Sequence, residues 1–498
     1  MESLAKLKDI ELLIRSHFGL IYLDTAEDER AIVLLQHLAD RNQLRFFEWS
    51  STKGLRRWPL EVAAEGTADL AKALELAERA TEPAVYYFNG LAEYLDDRVV
   101  QQRVKDAATS MTRRNAALFI SGADVTLPES ILPFCTRVRL PEPAPEDFVD
   151  LLRNVIRDVS SRTSVQVRLT SEDVSRLVGN LRGITLMEAR KILTRVLVEG
   201  GRLDASSLRA VVDAKKSIVE KDGLLEYYPV ESSFRSVADL KGLKAWLAKR
   251  KEIVTDPAKA RTFGLTFPKG VLLLGVQGCG KSLCAKAVAM EWGLPLLKFD
   301  PSALYNKYLG ETEKNLKRAF HTAEQMSPVV LWFDEIEKLF SSSDGGSEDG
   351  GVSSRVLAQL LTWMQERTAD VFMIATANDI QKLPAEMLRK GRFDEIFFVD
   401  LPDAEARAAV FSIHLEKRGR DPKKFDIPAL AAATDGFSGA EIEQAVVSGL
   451  YSAFAAKGEL ETTLLLAEIK ATRPLSTVMG EKIRSLREWA RERTVPAN

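Results

Sequence analysis

Two kinds of apolar pattern alternate along this chain. Short, nearly unbroken runs such as Val271-Leu272-Leu273-Leu274, Val329-Val330-Leu331-Trp332-Phe333 and Phe372-Met373-Ile374-Ala375 have the length and continuity of parallel strands buried on both faces. The segments between them carry polar residues at helical spacing, so the expectation is an α/β protein. The first half repeats the order of signals with little identity of residues. Gly19-Leu20-Ile21-Tyr22-Leu23 reads as a strand entering a helical stretch from Ala31 to Ala39, and Leu44 to Trp49 as a second strand. Their later counterparts are Gly270 to Leu274 and Leu294 to Phe299. Val85-Tyr86-Tyr87-Phe88-Asn89-Gly90 then parallels Val330 to Glu335, and Leu118 to Asp124 with Leu127-Pro128 parallels Phe372 to Asn378 with Leu383-Pro384. Gly183-Ile184-Thr185 and Gly436-Phe437-Ser438 each open a later helix. Five signals in one order point to a duplicated unit.

Between the halves, residues 216–260 read as a linker, with Pro229, Ser232-Ser233 and a basic amphipathic stretch from Leu243 to Arg250. Ser341 to Gly351, rich in Ser, Asp, Glu and Gly, reads as a mobile loop. Near residue 490, Met479, Ile483, Leu486 and Trp489 or Ala490 form a helical stripe, which reads as ordinary core packing.

At 498 residues the chain should hold two to four domains. A net charge of −2 offers no basic field for a nucleic-acid backbone, so nucleic acid is an unlikely partner. Three cysteines, two of them Cys279 and Cys284, supply neither a disulfide framework nor metal-ligand spacing, and imply a reducing compartment. The opening residues mix charges of both signs and no uncharged run approaches a membrane span, so the expected location is cytoplasmic, without membrane insertion.

The chemistry concentrates at Gly275-Val276-Gln277-Gly278-Cys279-Gly280-Lys281-Ser282, followed by Leu283, between a strand and a helix. Glycines let successive backbone N–H groups converge on phosphate oxygens at a helix N-terminus, Lys281 reaches the β/γ-phosphates, and Ser282 ligates Mg²⁺. The strand 329–333 ends in Asp334, placed to hold the metal, and Glu335, placed to activate water. The next strand ends in Asn378, whose amide can hold that water. Arg389 and Arg392 lie too far along the fold to be assumed part of their own site. In the first half the P-loop position reads Asp24-Thr25-Ala26-Glu27-Asp28-Glu29-Arg30, whose four acids and lack of glycine would repel a triphosphate.

On these motifs residues 235–475 resemble an AAA family ATPase of the fusion, severing and unfoldase group. More narrowly, a weak first half with one such module resembles the poorly characterised AAA proteins of cyanobacteria and some plastid genomes, in which case the location would be the plastid stroma. The resemblance implies a P-loop module with a helical lid, preceded by a degenerate AAA-like α/β domain. The expected divisions are a degenerate domain over 1–215, the linker, a nucleotide-binding subdomain over 261–402 and a lid with a final helix over 403–498. It implies that Asp239 and Leu240 contact adenine, that His414 lies on the base side, and that Gly439 and Ala440 make the lid contact. It implies ATP and Mg²⁺ as cofactors, and Arg389 and Arg392 as arginine fingers reaching a neighbouring subunit in a homo-oligomer, usually a hexamer. Lys307, Tyr308 and Leu309 fall where the family's first pore loop grips polypeptide, though Tyr308 could instead pack locally. Val276-Gln277, Cys279 and Lys390 depart from the usual family residues without removing a phosphate ligand, and Lys241 stands where the family has Gly, beside the adenine contact.

Two functions follow from this reading. One is an ATP-driven machine that remodels a protein substrate through a central pore; the other is an ATP-dependent switch or scaffold whose first domain recruits a partner. A nucleic-acid loader is disfavoured by the acidic balance.

Overall fold

Strands buried on both faces organise both halves of the chain. The computed structural model describes residues 2–25, 27–60, 62–122, 125–140, 143–163, 165–204, 207–221, 223–228, 240–304, 311–340 and 350–498. The chain divides into two units, Met1–Gly179 with Thr185–Asp204, and Asn180–Ile184 with Ala205–Asn498.

The first unit has strands β1 (Leu20–Asp24), β2 (Arg45–Ser50), β3 (Gly54–Arg57), β4 (Val62–Ala63), β5 (Ala84–Phe88), β6 (Ala117–Gly122) and β7 (Cys135–Arg139). They form one sheet in the order β4-β3-β2-β5-β6-β1-β7, parallel from β2 to β7 with the antiparallel β3 and β4 at one edge. Alternate residues enter different cores. Leu20 and Tyr22 of β1 pack with Tyr86, Phe88, Leu118 and Ile120, whereas Ile21 and Leu23 pack with Val85, Tyr87, Ala117 and Phe119. Apolar residues on both faces of a strand explain the unbroken runs in the sequence. A short parallel pair, β8 (Gln166–Val167) and β9 (Arg202–Leu203), lies in the same unit among the helices that follow the sheet.

The second unit holds β10 (Leu225–Tyr228), β11 (Gly270–Gly275), β12 (Leu296–Phe299), β13 (Val329–Phe333), β14 (Val371–Ala377), β15 (Glu395–Val399) and β16 (Val495–Pro496), ordered β10-β12-β13-β14-β11-β15-β16. Leu272 and Leu274 join one core with Leu331, Phe333, Met373 and Ala375, while Val271 and Leu273 join the other with Val330, Phe372 and Ile374. In each unit the five central strands, counted in chain order, run second, third, fourth, first, fifth across the sheet. The strand carrying the first loop is therefore flanked by the fourth and the fifth, where the sheet's connections diverge and the carboxyl ends open a crevice.

The stretch read as a linker is more structured than its composition implies. It supplies edge strand β10, antiparallel to β12, and the helix Lys241–Thr255, whose Leu243 and Leu247 are buried against the sheet and whose Arg250 stacks over Trp246. A helical subdomain follows β15, with Phe411, Leu430, Ile442, Val446 and Leu465 at its centre. The helix Gly480–Ala490 then buries Ile483, Leu486 and Ala490, as the stripe implies, and Leu486 enters the core beside the sheet.

Candidate nucleotide site

The loop after β11 is shaped by close backbone approaches. Gly275 has φ 155°, and a Cβ there would lie 2.0 Å from the Val399 carbonyl oxygen, so only glycine lets β11 leave the sheet at this point. Val276 N donates to that same oxygen at 3.0 Å. Gly278 and Gly280 take φ 77° and 87°, the left-handed region, and Gly280 caps the helix Lys281–Trp292. Gly278 O accepts from Ala440 N at 3.0 Å, so the lid contact expected at Gly439 and Ala440 touches the loop itself.

Beside the loop is a cavity of about 350 Å³ lined by Gln277 to Leu283 and by Asp334, Glu335, Thr376 and Asn378. Leu240, Val399, Pro402, Val410, Ile413 and His414 extend its wall, with Gly439, Ala440 and Glu443 from the lid. Gly275 and Val276 do not line it; they sit beneath, and their carbonyls accept from Lys281 Nζ at 2.9 and 2.8 Å. Asp239, Lys307, Tyr308, Leu309 and most of the Ser341–Gly351 loop lie outside the described residues.

The polar groups form one connected row. Asp334 Oδ1 accepts from Ser282 Oγ at 2.9 Å and from Thr376 Oγ1 at 2.7 Å, and Thr376 Oγ1 accepts from Glu335 N at 2.9 Å. Asn378 Nδ2 donates to Glu335 Oε1 at 2.9 Å, while Lys338 holds the other carboxylate oxygen. Glu335 adopts φ 51°, a strained conformation for a residue with a side chain. A hydroxyl and a carboxylate already joined at 2.9 Å are hard oxygen ligands and fit a small divalent cation, which would replace the shared hydrogen bond. Among the described residues no group of three or more His, Cys, Asp or Glu could hold a different metal. Thr376 joins this row although nothing in its sequence setting distinguished it from the strand around it. Glu337, buried with Oε1 accepting from Asn378 N at 2.8 Å, was likewise hidden behind the acids before it.

Burial governs the titration of the site. It lowers Lys281 from 10.5 to about 8, and it pushes the Cys279 thiol up to about 12, so that thiol stays protonated. Burial also lowers His414, which faces the Glu443 carboxylate at 3.3 Å, so the wall carries a neutral imidazole at pH 7. Arg389 is exposed and Arg392 is turned toward the Leu361 carbonyl; neither lines the cavity of its own chain.

The first unit has a cavity of about 310 Å³ built at corresponding positions. Ala406, Val410 and Ile413 follow the cap of the helix Ala404–Lys417 at the same steps as Asp147, Leu151 and Asn154 follow the cap of Pro145–Ser160. Gly439, Ala440 and Glu443 follow Ser438 as Leu186, Met187 and Arg190 follow Thr185, and both of these helices begin with a capping box. No glycine loop lies between. Instead Glu27 Oε1 accepts from Leu186 N at 2.7 Å and Glu27 Oε2 pairs with Arg30 at 3.0 Å. A carboxylate of the chain thus occupies the helix N-terminus where an anion would bind.

Fold and cavity together define a P-loop nucleotide-binding protein. The profile described as ATPase family associated with various cellular activities (AAA) matches residues 271–401. Profiles for the N-terminal and second domains of SpoVK-like AAA ATPases match 6–140 and 148–222. Uncharacterized AAA domain-containing proteins ycf46 are similar over nearly their whole length: that of Pyropia yezoensis is 34% identical with 97% of both chains covered, and that of Trieres chinensis is 33% identical with 97% of this chain and 96% of the relative covered. The human ATPase family gene 2 protein homolog A is 30% identical over 72% of this chain and 41% of its own length. The chain belongs to the AAA ATPase family, binds ATP and is an ATPase. Among the described residues no helix is long and apolar enough to cross a membrane.

Two outcomes follow for the charged groups. A lysine lowered by burial means that the unfolded chain binds more protons than the folded one between about 8 and 10.5, so this group favours the fold increasingly as pH rises through that window and costs stability below it. Lys281→Met removes this titration together with the hydrogen bonds to the Gly275 and Val276 carbonyls, so in urea titrations the stability of the variant relative to wild type should be more favourable at pH 7 than at pH 10 by on the order of 2 kcal/mol, while nucleotide affinity falls. Glu27→Ala should lower the stability of the first unit by about 1–3 kcal/mol, because Leu186 N and Arg30 lose their acceptor, and calorimetry should show no nucleotide dependence of that unit's transition.

Proposed function

We propose that this protein is an ATP-driven machine that assembles into a ring or spiral, with six subunits the expected number, and remodels a protein substrate. The observation that carries the reading is the row from Ser282 through Asp334 and Thr376 to Glu335 and Asn378 beside a glycine loop, with Arg389 exposed outside it. In this reading the loop N–H groups and Lys281 bind the phosphates. Ser282 and Asp334 would hold Mg²⁺, which supplies charge neutralisation on the phosphates when bound. Glu335 accepts a proton from the attacking water, and Asn378 orients both. Arg389 and Arg392 act on nucleotide held by the neighbouring subunit, so a ring is needed for turnover. The degenerate domain expected over residues 1–215 is a nucleotide-free relative of the ATP-binding half and displays a surface for partners or substrate. The working compartment is the cytoplasm, or the plastid stroma in a plastid-bearing cell.

A switch or scaffold is the second reading, favoured by the self-filled helix N-terminus of the first unit, which gives that half no nucleotide cycle of its own.

Glu335→Gln should bind ATP, lose hydrolysis by about 10²–10⁴-fold and shift to a closed oligomer of about six subunits with ATP and Mg²⁺ by mass in solution. Arg389→Ala should keep ATP binding and lose about 10³–10⁵-fold in turnover. A monomer with ATP bound, or an Arg389→Ala enzyme as fast as wild type, would count against the ring. For the machine, Tyr308→Ala should abolish unfolding of a tagged substrate while retaining most ATP hydrolysis; for the switch it should change neither.

A further inference from the structure

The short strand β16 has no role in the reading above, yet it ends at the nucleotide cavity. It pairs in parallel with β15, Phe398 opposite Pro496, and Ala497 N donates to Phe398 O at 2.9 Å. On its other side Ala497 O accepts from Leu243 N at 3.1 Å, and Ala497 is fully buried. Gly242 makes room for it, since a Cβ there would lie 2.7 Å from Pro496 O and 3.3 Å from Ala497 O. Residues 496 and 497 are thus clamped between the sheet edge and the helix Lys241–Thr255. Asn498 is delivered to the cavity wall beside Val399, which follows Phe398, and Leu240, which precedes the same helix.

We propose that Asn498 reads the edge of the purine base and sets the preference of this site for adenine over guanine. The wall around it is apolar, made by Leu240, Val399, Pro402, Ala406, Val410 and Ile413. Among the other polar side chains lining that part of the cavity, Asp400 is held bidentately by Arg487 at 2.8–3.0 Å, and Glu443 is shared between Arg418 and His414. Asn498 is the amide there, with an N–H₂ donor and a carbonyl acceptor on one side chain. Adenine offers the complementary pair, an amino donor beside a ring-nitrogen acceptor, whereas guanine presents a carbonyl at the corresponding carbon. Leu240 enters this wall with φ 62°, a conformation unfavourable for leucine, and the clamp on Leu243 through β16 helps hold it there.

The inference rests on the nucleotide reading of the cavity, and calorimetric titration of the full chain with ADP and with GDP separates the two. Wild type should prefer ADP. Asn498→Ala, a change at an exposed side chain, should narrow that preference by about tenfold or more, the discrimination typical of one bidentate pair. Asn498→Asp offers only acceptors, which match the N–H donors of guanine, and should shift the preference toward GDP. Gly242→Val, which displaces β16 without touching Asn498, should narrow it as Asn498→Ala does. An Asn498→Ala protein with the wild-type ratio would overturn the role of Asn498, and a Gly242→Val protein with that ratio would overturn its delivery by β16. Wild type that binds neither nucleotide would instead overturn the reading of the cavity.

Discussion

One carboxylate oxygen ties the functional half of this protein together. Asp334 Oδ1 accepts simultaneously from Ser282 at the start of the helix after β11 and from Thr376 near the end of β14. Three consecutive positions in the sheet, β13, β14 and β11, thereby meet at one atom. Thr376 passes the constraint on to the backbone of Glu335, whose left-handed conformation points its carboxylate at Asn378. Without that junction the glycine loop and the acidic strand end would be neighbours with no defined separation. With it, the glycine loop and the Glu335 carboxylate are held at a defined separation.

The buried sheet makes such precision possible. Each central strand is apolar on both faces, so a register slip would exchange the contents of two cores at once. Gly275 then lets β11 pass the Val399 carbonyl, and the lid returns Ala440 to Gly278, closing the loop from above and below. The lid residues His414 and Glu443 complete the wall through a pairing that burial keeps uncharged on the imidazole side.

The first unit shows the same scaffold under a different electrostatic regime. Its strand order and the steps along its lid-like helices match those of the second unit, while the loop between them has exchanged glycines for acids. Glu27 supplies internally the negative charge that a phosphate would bring, and it does so with Arg30 as counter-ion. An internal anion carries no entropic cost of capture, so the site stays satisfied regardless of nucleotide.

The glycine spacing, the strand ending in Asp334-Glu335 and the repeated order of apolar runs were all legible in the sequence, because each is local: a turn, a helix N-terminus, or a strand buried on both faces leaves its mark within a few residues. The AAA family followed from them. The roles of Thr376 and Glu337 were not legible, since a threonine in a buried strand and an acid after two others look alike wherever they occur. Nor was strand β10 in a stretch with the composition of a linker, for an edge strand of four residues gains its stability from β12 and not from its own pattern. Least visible was Asn498, whose place beside Leu240 depends on the hydrogen bonds that its neighbour Ala497 donates to Phe398 and accepts from Leu243, about a hundred and about 250 residues earlier. The sequence by itself determined which chemistry the chain carries. Only the tertiary structure decided which distant side chains enclose it, because closing such long loops is governed by packing and not by local preference.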